Sequence, residues 1–225
     1  MTEVVTRQIQ DMIRKGDFPP DTKLPSQRIL AEQLGVSRAS LREALMTLET
    51  LGLLRTLPAR GTFVVDAAKT DSKQPVAWRF GGSFSLQDVF ETRILVEAEL
   101  CRMAAPVMTD ADLSVLDAAC QTFETTWHRG DLVAHVEADL AFHAQIADAC
   151  PNRMLHGFYQ SINEILTESQ RAPIPRTHVS RMQASMEEHR AILSALRRRD
   201  GAAAAQAMRA HIKNTARIAG VETKR

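Results

Sequence analysis

The sequence predicts a mainly α chain: an N-terminal winged helix-turn-helix followed by an antiparallel all-α helical bundle. Three observations carry this. Two short capped helices meet at a glycine within residues 24–48. Two short β-prone runs then flank Pro58-Ala59-Arg60-Gly61. From Ser85 onward the pattern is helical, with little β-branching and no strand-like alternation.

Residues 2–15 form an amphipathic first helix on Val4, Val5, Ile9, Met12 and Ile13, closed by Gly16 and Pro19-Pro20. Ser26 caps the next helix, whose apolar stripe is Ile29, Leu30 and Leu34. Gly35 ends it, because glycine tolerates positive φ. Ser37 caps a third helix with Leu41, Leu45 and Leu48 facing inward. Arg38 and Arg42 lie four apart on its opposite face, near its start. That is where a recognition helix places base-reading side chains, and a guanidinium fork suits the O6/N7 edge of guanine. A solvated arginine face is the plainer alternative. Gly52 closes this helix, and Leu53–Leu57 and Thr62–Val65 read as a hairpin whose tip carries Arg60 and Gly61. A hairpin directly after a helix-turn-helix is a wing, and glycine at its tip permits close approach to a DNA groove.

After this 1–66 domain, residues 67–84 read as a linker, with Trp78 and Phe80 docking it onto a neighbouring surface. The bundle occupies 85–219, with helices near 86–105, 110–128, 131–149, 152–170, 178–199 and 201–219. The formal net charge of +1 over 225 residues carries no global basic signature, so DNA binding must rest on charge placement. The three cysteines, Cys101, Cys120 and Cys150, form no CxxC and read as reduced thiols. With neither a leader-like start nor a membrane-spanning run, the expectation is a cytoplasmic protein with no membrane partner.

Three bundle helices carry a histidine on an apolar stripe. His143 shares a side with Val136, Leu140, Ile146 and Cys150, and Asp139 stands one turn before it. His189 lies with Met182, Met186, Leu193 and Leu196, and His211 with Ala204, Met208 and Thr215. One such histidine alone is commonly a satisfied core residue. Three of them with a carboxylate are costly to bury uncompensated, and a divalent cation would compensate all four. Imidazole–carboxylate ligation suits zinc, the default from abundance, or nickel or manganese. His128, His135, His156 and His178 are expected to be solvated. Arg93 sits mid-stripe among Leu86, Phe90, Glu97 and Leu100. It reads equally as an internal ion pair with Glu97 or as a clamp for a carboxylate ligand.

The runs LPSQRILAEQLGVSRASLREAL, LETLGLL and ARGTFVV resemble the DNA-binding domain of GntR-family bacterial transcription regulators. The resemblance puts Arg28, Arg38, Arg42 and Gly61 at DNA-contacting positions; Ser37, Ser40 and Arg60 complete the candidate set. The chain departs from the family at Pro20-Asp21, commonly Pro-Gly, and at Gln27 and Ile29, commonly acidic. The motifs around Phe90-Glu91-Thr92-Arg93, Asp139–His143, Glu188-His189 and Ala210-His211-Ile212 resemble the effector-binding FCD domain of the FadR subfamily. That resemblance implies metal at Asp139, His143, His189 and His211, and a carboxylate effector on Arg93.

Together these predict a non-enzymatic, homodimeric regulator, a repressor, reading palindromic operator DNA under the control of a hydroxy, keto or sugar acid. A helical-bundle metalloenzyme with a DNA-binding appendage is the rival of another class, and a metal-sensing repressor is the third reading. Against the enzyme, no additional acid or base stands at catalytic spacing beside the four ligands.

Overall fold

The computed structural model describes residues 2–66 and 78–223, and the chain divides into two compact units, 1–77 and 78–225. Most of the expected linker, 67–77, lies outside the described residues.

In the first unit, α1 (Thr2–Lys15) and α2 (Gln27–Leu34) both pack on α3 (Arg38–Thr50). The interior is built from Val5, Ile9, Leu24, Leu30, Leu41, Ala44, Leu48, Leu51, Leu54 and Val64. Two expected core positions face solvent instead: Val4 is 64% exposed and Ile29 is 40% exposed. Each sits one residue before a position that is buried, Val5 and Leu30, and a helix turns about 100° per residue, so only one of each pair can face inward. Ser26 accepts from the Ile29 amide, and Gly35 ends α2 at φ 66°. The unusual Asp21 holds the left-handed conformation, φ 62°, that a glycine would adopt most easily. β1 (Leu54–Leu57) and β2 (Gly61–Val64) pair antiparallel, Leu54 opposite Val64 and Leu57 opposite Gly61. Glu49 of α3 ties the wing down by accepting from the Thr56 amide (2.7 Å) and hydroxyl (3.1 Å).

The second unit contains α4 (Leu86–Ala104), α5 (Asp110–His128), α6 (Leu132–Asp148), α7 (Arg153–Ser161), α8 (Asn163–Arg171), α9 (Val179–Arg197) and α10 (Gly201–Ile218). A short 3-10 turn, Ile174–Arg176, precedes α9. α4 lies along α10, α5 along α6, and α9 touches both α10 and α5. Capping boxes start α4 (Ser85 with Asp88) and α5 (Thr109 with Asp112). The expected single helix over 152–170 is two helices broken at Ile162. No proline or glycine marks the break; the Ser161 hydroxyl takes up the Phe158 carbonyl (2.7 Å) beside it. Gly201 lets α10 close onto α4, since a Cβ there would fall 2.5 Å from the Arg102 carbonyl oxygen. Trp78 is half-buried against the bundle core and donates to the Phe84 carbonyl (2.7 Å), so this end of the expected linker does dock. Among the described residues, no helix is long and apolar enough to cross a membrane.

Candidate functional site

In the first unit, Ser37 starts α3 by accepting from the Ser40 amide (3.0 Å), and its hydroxyl donates to that of Ser40 (2.9 Å). Both serines therefore serve the cap, which orients the first turn of the helix. Arg38 and Arg42 project from the exposed side of that turn, opposite buried Leu41 and Leu45. Arg28 is exposed and pairs with Glu32 at 3.0 Å, a contact that water screens and that costs little to exchange. At the wing tip Arg60 is exposed, Ala59 and Gly61 hold φ 58° and 108°, and the turn closes through Arg60 N–H to the Leu57 carbonyl (3.0 Å). The Lys23 side chain lies over Gly61, so a Cβ there would meet its Cε at 2.6 Å. Lys23 is a cation at the wing that no sequence motif singled out.

In the second unit the bundle brings Asp139 and His143 of α6, His189 of α9 and His211 of α10 together, with one ligand atom of each within 4.8 Å of all the others. All three imidazoles are buried. The outer nitrogen of each is already committed. His143 Nδ1 pairs with Glu97 of α4, His189 Nδ1 with the Ser185 carbonyl (2.8 Å), and His211 Nδ1 with Glu188 (2.9 Å). Carboxylates and carbonyls only accept, so Nδ1 carries the proton in each ring and Nε2 presents a lone pair. Those lone pairs surround the Asp139 carboxylate, whose Oδ1 lies 3.0 Å from His189 Nε2 and 3.9 Å from His143 Nε2. His143 Nε2 and His189 Nε2 are buried with no protein hydrogen bond. Three inward lone pairs and one carboxylate, each imidazole held from outside by an acceptor, are the donor set of a divalent cation site.

The electrostatics agree. Burial alone would raise the Asp139 pKa; a protonated His189 beside it and charge on His143 or His211 would hold it far below the carboxylate range, as a bound cation would with the rings neutral. Burial likewise opposes ionisation of Glu97, and Arg93 with His143 outweighs it, leaving a pKa of about 2. Glu188 reaches about 2 through His211 and Arg181 against the same opposition. Burial pushes His211 down to about 4, which keeps it neutral and able to ligate.

Arg93 is buried and makes the internal ion pair, Nε to Glu97 Oε1 at 2.6 Å, over the Phe90 ring. It also lines a small cavity of about 40 Å³ beside the cluster. Asp139, His211, Gln170, Arg181 and His135 line the same cavity. Arg181 grips Glu188 with two hydrogen bonds, 3.0 and 2.8 Å. The expectation for His135 is corrected: it is 1% exposed, stacked on Phe123 at 3.9 Å between centroids. Helical phase explains this, since His135 lies two turns before buried Phe142 and one before Asp139. His156 is only partly exposed and pairs with Asp148 at 2.9 Å. Glu97 was legible only as a partner for Arg93. Glu188 was legible only as part of the Glu188-His189 motif, and Gln170 and Arg181 carried no sequence signal, because their partners come from other helices or from seven residues away.

Comparison with known proteins agrees with both units. The family description "Bacterial regulatory proteins, gntR family" matches residues 1–64, and "FCD domain" matches residues 88–214. The chain is 32% identical over 210 residues to the HTH-type transcriptional regulator LutR of Bacillus subtilis, covering 90% of this chain and 94% of that protein. It is 29% identical over 217 residues to the Glc operon transcriptional activator of Escherichia coli K12, covering 94% and 85%. A solved GntR structure from Streptococcus agalactiae superposes with a TM-score of 0.51 at 26% identity, covering 96% of this chain and 99% of that one. Both family descriptions and these relatives are of transcriptional regulators. The chain belongs to the GntR family of bacterial regulatory proteins, a DNA-binding transcriptional regulator whose second domain is an FCD domain.

Proposed function

We propose that this regulator binds a palindromic operator as a homodimer and is controlled by a small carboxylate that binds beside a divalent ion held by Asp139, His143, His189 and His211. The observation that carries the reading is the outward commitment of all three Nδ1 atoms, which leaves lone pairs facing one carboxylate in a buried space. Zinc is the proposed ion, from the three imidazoles and single carboxylate.

The charges around the cavity favour an anion. The guanidinium groups of Arg93 and Arg181 face the carboxylates of Glu97, Asp139 and Glu188, a balance of one negative charge with neutral histidines. A divalent ion reverses that balance to one positive charge, and supplies a Lewis-acidic centre that a carboxylate shares. Arg93, held rigid by Glu97, orients the acid, and the apolar wall of Phe123, Val136, Met182 and Ile218 excludes water from it. Helices α6, α9 and α10 all contribute to this site, so ligand binding shifts their packing, and any differential affinity between two packings becomes a change in operator affinity.

On DNA, Arg38 and Arg42 read base edges, Arg28 and Arg60 meet phosphates, and the Ser37 cap sets the helix entry. Repression is the proposed sign of control, because an occupied operator obstructs transcription without any polymerase-contacting surface. The test uses a duplex selected by the protein from a random pool, titrated with zinc-loaded protein in the presence of a panel of small hydroxy, keto and sugar acids. At least one acid should change operator affinity at least about five-fold, and His189→Ala should abolish that change. A response that survives His189→Ala contradicts the proposal.

A further inference from the structure

We propose that Gln170 and His135 make the cavity select acids bearing a hydroxyl donor over their keto counterparts, by accepting hydrogen bonds from the ligand's hydroxyl groups. This rests on the effector site proposed above and narrows its ligand class.

Four buried side-chain polar atoms have no hydrogen-bond partner among the described residues. Two of them, His143 Nε2 and His189 Nε2, belong to the metal cluster. The others are Gln170 Oε1 and His135 Nε2, on two residues that line the same cavity. The chemical identity of both atoms follows from their neighbours. Gln170 Nε2 donates to Asp139 Oδ2 at 3.0 Å, and a carboxylate can only accept. The amide is therefore fixed with its oxygen turned away from Asp139. His135 Nδ1 lies 2.9 Å from the Phe123 carbonyl, so that nitrogen carries the proton and Nε2 is a bare acceptor. Burial also lowers the His135 pKa, which keeps the ring neutral.

The residues lining the cavity thus carry two guanidinium groups for an acid's carboxylate and two unanswered acceptors, closed to water in this structure, which a hydroxyl would reach as the ligand seats. A keto oxygen has nothing to donate, so against either acceptor it leaves both atoms unpaired. A hydroxyl satisfies the acceptor, and two acceptors accommodate one hydroxyl each. Leaving a buried acceptor unpaired weakens binding about ten-fold or more.

The experiment is calorimetric titration of the zinc-loaded full chain with matched acids: each enantiomer of lactate against pyruvate, and of 2-hydroxybutyrate against 2-ketobutyrate. One hydroxy enantiomer in each set should bind about ten-fold or more tightly than the keto acid. His135→Phe keeps an aromatic ring on Phe123 and removes only the acceptor, and Gln170→Met removes the amide. At least one of the two should weaken hydroxy-acid binding more than keto-acid binding and so move the ratio towards one. Equal or tighter keto-acid binding by the wild-type chain overturns this inference and leaves the carboxylate site standing. A ratio untouched in both variants, at full zinc content by elemental analysis, overturns it too. If neither hydroxy nor keto acid binds, the effector site itself fails and this inference with it. The wild-type comparison decides the matter even where a variant misfolds.

Discussion

At the residue scale, the two halves of the chain use charge in opposite ways. Arg38 and Arg42 stand in water with no ion pair among the described residues, so their donors are available to a base edge. Arg42→Ala should cost about 1–3 kcal/mol in operator binding and relax preference at one base position. Competition between selected and scrambled duplexes measures this, and unchanged selectivity contradicts the assignment. In the bundle, by contrast, the buried charges of Arg93 and Glu97 answer each other. Glu97 holds Arg93 with one oxygen and His143 with the other, so Glu97→Gln should lower metal affinity about 10- to 100-fold without touching a ligand. Competition with a chromophoric chelator reads that loss. The pKa values set the acid sensitivity of the metal-free chain. His211 titrates at about 4 when folded and at its ordinary 6.5 when unfolded. Between those values the unfolded chain takes up a proton that the folded chain refuses, so stability falls as pH drops through that window. Glu97 and Glu188, both at about 2 against an ordinary 4.5, extend the loss further into acid. Thermal melts of chelator-treated protein should show the melting temperature falling from pH 7 to pH 4, and a flat profile contradicts the stated burial of His211. The clustering of Asp139, His143, His189 and His211 was readable because the three histidines sit on apolar stripes and Asp139 stands one turn before His143. Their supports were not, since Glu188 neighbours His189 in sequence yet serves His211 on the next helix.

At the scale of elements, helix caps and close approaches do the positioning. Ser37 fixes the start of the recognition helix, and Ser37→Ala should cost about 1 kcal/mol of stability. Chemical denaturation measures that directly, and a variant as stable as the wild type contradicts it. Gly201→Ala should destabilise the bundle by about 1–3 kcal/mol, because its Cβ would meet the Arg102 carbonyl at 2.5 Å and push α10 from α4. α10 carries His211, so the same variant should also weaken metal binding. Caps and glycines made several element boundaries legible: Ser26, Gly35 and Ser37 act as their chemistry predicts, while Ser85, Thr109 and Asp200 cap α4, α5 and α10 in the structure. The break at Ile162 escaped because it is made by a serine hydroxyl and tertiary packing, neither of which leaves a periodicity. It matters for function, since the shifted axis of α8 carries Gln170, whose amide bonds Asp139.

At the scale of the molecule, a near-neutral chain places a few cations on its winged unit and closes its bundle around one acidic, histidine-lined point, the second being the site of the proposed ligand control. The bundle's core supplies apolar contact from α4, α5, α6, α9 and α10, while the polar cluster crosses between α6, α9 and α10. A cation bound only by the folded bundle would staple those three helices, so its removal should lower the melting temperature, by an amount that grows with the logarithm of its free concentration over its dissociation constant. The measurement that bears most directly on the central claim is metal content of the purified chain by elemental analysis after equilibration with zinc and gel filtration. The predicted result is one zinc per chain for the wild type and none retained by His189→Ala folded to the same helical content. A wild-type chain that retains no divalent metal would contradict the account.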